Sequence, residues 1–142
     1  YSFQRENITY SYNQDYLINT DNLKIELNKN SIYLVDARDE ERFLGKVEPL
    51  DRKAGHIPGA INMPFKYNLD QNGRFKKKSD LLELFKNINT DKEKDIINMC
   101  GSGVTACHNF LAMEYCGLRK SKVYVGSWSS WSSYSDLDIE KE

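Results

Sequence analysis

The chain has 142 residues, 39% of them hydrophobic and 29% charged, with a formal net charge of −1. That length suits one domain, which at this size buries roughly 68–70% of its unfolded surface without help from disulfides or metal. The near-neutral charge gives no case for binding nucleic acid or an anionic membrane surface, and no apolar run approaches the ~18 residues of a membrane span.

Residues 1–18 are polar with scattered tyrosines and read as an N-terminal arm or interdomain linker, ahead of a domain over 19–142. The chain opens on Tyr1 rather than methionine, which reads as an excised or processed piece. Thr20, Asp21 and Asn22 offer a cap for a short helix carrying Leu23, Ile25 and Leu27, which ends near Asn28-Lys29-Asn30. Residues 31–36 form a compact apolar run closed by Asp36 and predict a buried parallel strand. A helical turn over 39–44 follows and stops at Gly45, then a polar loop over 46–58. Residues 60–64 predict a short strand ended by Pro64, and 66–78 a basic solvated loop. Ser79-Asp80 reads as the cap of a helix bearing Leu81, Leu82, Leu84, Phe85 and Ile88.

Residues 95–99 predict a further strand, followed by Cys100-Gly101-Ser102-Gly103 and a helix from about Val104 to Tyr115 closed by Gly117. A last strand covers 122–125. Strands alternate with helices, so the predicted fold is α/β, a single domain with a central, mostly parallel sheet flanked by helices.

Cys100 stands out by position, since it follows a buried strand and precedes a helix within a glycine-rich turn. Binding sites of open α/β sheets lie beyond the carboxyl ends of the strands. Gly101 and Gly103 allow a tight curl whose N–H groups converge, and the helix start adds its unpaired N–H groups and positive dipole end. Such a cradle holds an anion, and here the chain itself can supply one as the Cys100 thiolate. Helix N-termini and nearby cations favour cysteine thiolates in this way. The alternative is a buried packing cysteine. Cys107 and Cys116 read as helix-core cysteines. Three cysteines with no CxxC pair, and only His56 and His108 beside them, point away from a disulfide framework and from a metal centre, and toward a reducing compartment.

The run Cys100-Gly101-Ser102-Gly103-Val104-Thr105-Ala106-Cys107 resembles the active-site loop of the rhodanese superfamily, closest to its mercaptopyruvate sulfurtransferase branch. Three further segments are similar in order and spacing: Val35-Asp36-Ala37-Arg38 with Glu41 to Gly45, Gly55 to Asn62, and Gly126 to Trp131. The resemblance covers about residues 20 to 133 and implies a rhodanese-like fold with no cofactor. It implies Cys100 as nucleophile, carrying a persulfide between a small-molecule donor, 3-mercaptopyruvate, and a thiol acceptor such as thioredoxin, or cyanide in an assay. Ser102 would hydrogen-bond the sulfur or relay a proton, Arg42 would hold the substrate carboxylate, and the amides of Gly101, Ser102, Gly103, Val104 and Thr105 would line the cradle.

The resemblance further implies an N-terminal rhodanese domain in the parent chain; the reducing compartment read from the cysteines would be cytoplasmic or mitochondrial. The family's second substrate arginine, after a Glu-Pro pair, is missing here: Glu48-Pro49 is followed by Leu50-Asp51. Arg52 either replaces it or does not. Ser130 stands where an acid is common between the two tryptophans, a departure that bears on stability or docking. His56 reads as structural, Arg38 with Asp36 as a fold-stabilising ion pair, His108 as a helix-surface or packing residue, and Trp128 and Trp131 as packing or interdomain contacts.

Three rival readings remain. A thiosulfate sulfurtransferase would need basic residues in the loop, where Gly101 and Ser102 are uncharged. A related cysteine phosphatase would need an arginine about six positions after the cysteine, where Ala106 stands. A non-catalytic rhodanese module would typically lack the loop cysteine.

Overall fold

The structure is a computed structural model and describes Ser11 and residues 13–142. Most of the predicted arm, residues 1–10 and 12, lies outside the described residues. Five parallel strands form one sheet in the order β1-β5-β4-β2-β3. They are β1 (Leu17–Ile18), β2 (Ile32–Asp36), β3 (Ile61–Asn62), β4 (Asp95–Met99) and β5 (Ser121–Tyr124). The helices are α1 (Thr20–Asn28), α2 (Glu40–Phe43), α3 (Lys78–Leu84), α4 (Val104–Cys116) and α5 (Ser127–Trp131).

Alternation along the central strands sends side chains to two cores, as the period of two in a strand requires. Leu34, Ile97, Met99 and Tyr124 face one side, with Leu23 of α1 and Trp128 and Trp131 of α5. Val35 and Ile96 face the other, with Leu81 of α3 and Ala112, Met113 and Cys116 of α4. Asn98 is buried on this second side, and its Nδ2 donates to Ser121 Oγ at 3.1 Å, which ties β4 to β5.

The strand order fixes where a site can form. From β2 the chain steps outward to β3, then returns to lay β4 on the opposite side of β2, and moves away again to β5. The crevice between the carboxyl ends of β2 and β4 is therefore a topological switch point, the usual ligand position in open α/β sheets. Asp36 and Met99 are paired there, so the segments starting at Ala37 and at Cys100 leave the sheet side by side.

Several boundaries differ from expectation. Leu17 and Ile18 belong to the sheet rather than to an arm, pairing with Val123 and Tyr124. Asn19 caps α1, its Oδ1 accepting the Asn22 N–H at 2.9 Å. Helix α3 begins at Lys78, one residue before the proposed Ser79-Asp80 cap. The loop over 66–78 is partly anchored: Asn68 is buried and donates to Asn109 Oδ1 of α4 at 2.7 Å, while Leu69 bridges to Phe75. The segment after β5 winds into α5, a helix too short to show a period in sequence.

Candidate active site

Cys100 follows the last residue of β4 and is 2% exposed. Its Sγ accepts the Gly103 N–H at 3.1 Å. Gly103 is the N-cap of the thirteen-residue α4, so the sulfur lies at the positive end of that helix. The turn requires glycine: Gly103 has φ +89°, and a Cβ there would stand 3.0 Å from the Val125 carbonyl.

The start of α5 clamps the loop from the other side. Ser127 Oγ accepts the Cys100 N–H at 3.1 Å and donates to the Tyr124 carbonyl at 2.8 Å. Trp128 N–H donates to the Cys100 carbonyl at 2.9 Å, and both the N–H and the hydroxyl of Ser129 donate to the Gly101 carbonyl. Ser127 holds a left-handed backbone, φ 49°, which is costly for a residue with a Cβ and persists where surrounding contacts over-determine it. Here those contacts hold the Cys100 backbone.

A network of five charges borders the loop. Arg38 and Asp36 form the buried ion pair expected from sequence, Nη2 to Oδ2 at 2.8 Å, and Arg38 also donates to the Gly55 carbonyl and lies 4.6 Å over the Trp128 ring. Glu48 receives Arg42 Nη2 at 2.7 Å and Arg38 Nη1 at 3.5 Å. Arg42 Nη2 meets Asp51 Oδ2 at 3.1 Å as well. Burial pushes the Glu48 carboxyl up, but hydrogen bonds from Arg42 and from the Leu50 and Asp51 N–H groups outweigh it and hold Glu48 below the ordinary carboxylate range. Arg42 Nη1 has no acceptor among the described residues and lies 3.4 Å from where a Gly101 Cβ would be.

These groups enclose a cavity of about 220 Å³ lined by Arg38, Arg42, Asp51, Cys100, Ser102 and Thr105 with several neighbours. Of the residues singled out from sequence, Cys100, Ser102, Arg42, Gly101, Val104 and Thr105 all line it, while Gly103 lies just behind, donating to the sulfur. Ser102 is exposed at the rim, and Val104 is 73% exposed. Arg52 is exposed and outside the lining. The turn around Glu48, whose Oε1 accepts both the Leu50 and Asp51 N–H groups, presents Asp51 inward and leaves Arg52 out.

Sequence reasoning missed Ser127, Ser129 and Asp51. Their roles depend on backbone direction after β5 and after Pro49, which residue types do not encode. Cys107 was expected in the helix core, but it is exposed, one helical turn past Gly103, and faces a larger apolar groove with Tyr16, Leu17, Phe110 and Val125. Cys116 is buried, and burial pushes its thiol up, as for a packing cysteine.

His56 is structural: its Nδ1 contacts the Phe43 carbonyl at 2.8 Å and its ring stacks on Phe43. His108 packs between Phe65 and Phe75, and burial lowers its pKa. Trp128 and Trp131 pack within the domain, donating from Nε1 to the carbonyls of Lys53 and Asp138. Ser130 lies near Thr20, away from the cavity lining.

Several curated proteins are similar to this chain in sequence. A "probable 3-mercaptopyruvate sulfurtransferase" of Pseudomonas aeruginosa is 42% identical over 116 residues, covering 81% of this chain and 41% of that protein. The human 3-mercaptopyruvate sulfurtransferase is 39% identical over 113 residues, covering 78% of this chain and 38% of that protein. The thiosulfate sulfurtransferase of Gallus gallus is 41% identical over 98 residues, covering 69% and 34%. The chain thus spans about two-fifths or less of the length of these curated relatives.

Among solved structures, the Tum1 protein from Saccharomyces cerevisiae superposes with a TM-score of 0.77 at 26% identity, covering 90% of this chain and 47% of that one. The anaerobic ergothioneine biosynthesis enzyme from Chlorobium limicola superposes with a TM-score of 0.81 at 20% identity, covering 89% and 32%, a likeness of fold alone. The model of the family described as "Rhodanese-like domain" matches residues 19–134, the span that holds the switch-point crevice, the Cys100 loop and the α5 clamp. The chain therefore belongs to the rhodanese-like domain family.

Proposed function

We propose that this chain is the cysteine-bearing domain of a sulfurtransferase that draws sulfur from 3-mercaptopyruvate through a persulfide on Cys100. The observation that carries the reading is the Cys100 sulfur at the start of α4, taking the Gly103 N–H and facing a small cavity with Arg42, whose Nη1 has no acceptor among the described residues. A thiolate there attacks the thiol sulfur of the donor. The S–S bond forms as the donor's C–S bond breaks, and the bonding pair leaves as the enolate of pyruvate. The proton from the donor's thiol ends on the enolate carbon, with the Ser102 hydroxyl at the rim able to relay it, so the products are pyruvate and an anionic Cys100 persulfide. The Gly103 N–H and the positive end of α4, which meet the Cys100 sulfur, lie ready for this second anion as well. A thiol acceptor such as thioredoxin then takes the outer sulfur, which suits a reducing compartment, cytoplasmic or mitochondrial.

The donor's single carboxylate matches one guanidinium nitrogen with an open donor, as Arg42 offers. A cavity of about 220 Å³ admits a molecule of this size and is smaller than the pockets of drug-sized ligands. The sequence relatives named as thiosulfate sulfurtransferases keep a second reading alive, transfer from thiosulfate, although Gly101 and Ser102 bring no side-chain charge to meet its two negative charges. Turnover of the full chain with each donor, using cyanide as acceptor, tests both. Activity with 3-mercaptopyruvate that Cys100→Ser abolishes is the expected result. Equal activity in Cys100→Ser would refute the reading.

A further inference from the structure

The cavity contains an acid that an anion-binding site does not need. Asp51 lines it beside Cys100, is only 10% exposed in its side chain, and holds Arg42 Nη2 at 3.1 Å. Arg42 does not depend on Asp51 for its orientation. Glu48, 4% exposed, takes both its Nε and its Nη2. Counted together, the ion network has two guanidinium groups, Arg38 and Arg42, against three carboxylates, Asp36, Glu48 and Asp51, which is one negative charge in excess. Asp39 lines the cavity too, but it is exposed and paired with Lys66 at 2.6 Å, so that pair is neutral, and Arg52 is outside the lining. Among the described residues an incoming anion therefore finds one open guanidinium nitrogen and the loop's amides, with no surplus cation in the lining.

We propose that Asp51 acts as a charge filter, making this site discriminate against dianionic sulfur donors in favour of donors with one negative charge. The inference rests on the proposed function and deepens it, since it assigns donor selectivity to one residue. The physical basis is that repulsion between Asp51 and a bound donor grows with each charge the donor carries, in a crevice where screening is incomplete.

The test uses the full chain with Asp51→Asn, which keeps an acceptor for Arg42 and removes the charge, and Asp51→Ala, which removes both. KM and kcat are measured separately for 3-mercaptopyruvate and for thiosulfate. The expected result is a lower KM for both donors and a rise of about tenfold in the ratio of kcat/KM for thiosulfate over 3-mercaptopyruvate in both variants. A purely structural role in the turn would lower turnover of both donors alike and leave that ratio where it was. An unchanged or falling ratio, with wild type still forming the Cys100 persulfide, would overturn the filter while leaving the function standing. Wild type that accepts sulfur from neither donor would remove the function, and the filter with it.

Discussion

Glu48 concentrates more of the site's electrostatics than any residue the sequence drew attention to. One nearly buried carboxylate accepts from Arg42, from Arg38 and from two backbone N–H groups. Its carboxyl titrates below the ordinary value of 4.5 in the folded chain. The sign follows directly: a depressed folded value contributes stability above the unfolded value, and that contribution is lost as pH falls through the folded value. Glu48→Gln should therefore destabilise the fold at neutral pH by about 1–3 kcal/mol, the range for disturbing a buried charged hydrogen bond. The gap between variant and wild type should narrow as denaturation is followed below pH 4.5. A constant gap across that range would show that Glu48 is not held ionised by its partners. At this scale the sequence singled out Cys100 because a cysteine between a strand and a helix is legible by position. It hid Glu48 and Asp51 because their inward direction is set by a turn after Pro49 that no periodicity marks.

Helix α5 is the element that sequence patterns did not announce, and it does the most to shape the cysteine loop. Five residues are too few for a hydrophobic period, and none of its side chains makes a cap. The four hydrogen bonds that its first three residues make with Cys100 and Gly101 instead follow from Ser127 turning left-handed directly after Gly126. Ser127→Ala should leave the buried Cys100 N–H without its acceptor and cost about 1–3 kcal/mol in a denaturant melt, together with a loss of sulfur transfer. Stability and turnover both equal to wild type would mean the clamp is incidental. By contrast β2, β4, β5 and α4 were readable almost residue for residue, since buried parallel strands are continuous apolar runs and α4 carries Gly103 and Gly117 at its ends. The two-residue β1 was not, because pairing to β5 rather than its own composition makes it a strand.

Across the molecule, the sheet order explains why residues distant in sequence share one crevice. The parallel strands β2 and β4 deliver Arg38 and Cys100 to the switch point, and the segment after β5 delivers Ser129 to the same cavity. The loop after β4 supplies the dipoles, and the stretch from the end of β2 through α2 to Asp51 supplies the charges. The measurement closest to the centre of this account is the mass of Cys100 itself. After the full chain is incubated with 3-mercaptopyruvate and the excess donor removed, peptide mapping should find one added sulfur atom on Cys100, removable by cyanide and absent from Cys107 and Cys116. No added sulfur on Cys100, or sulfur found on another cysteine instead, would contradict it.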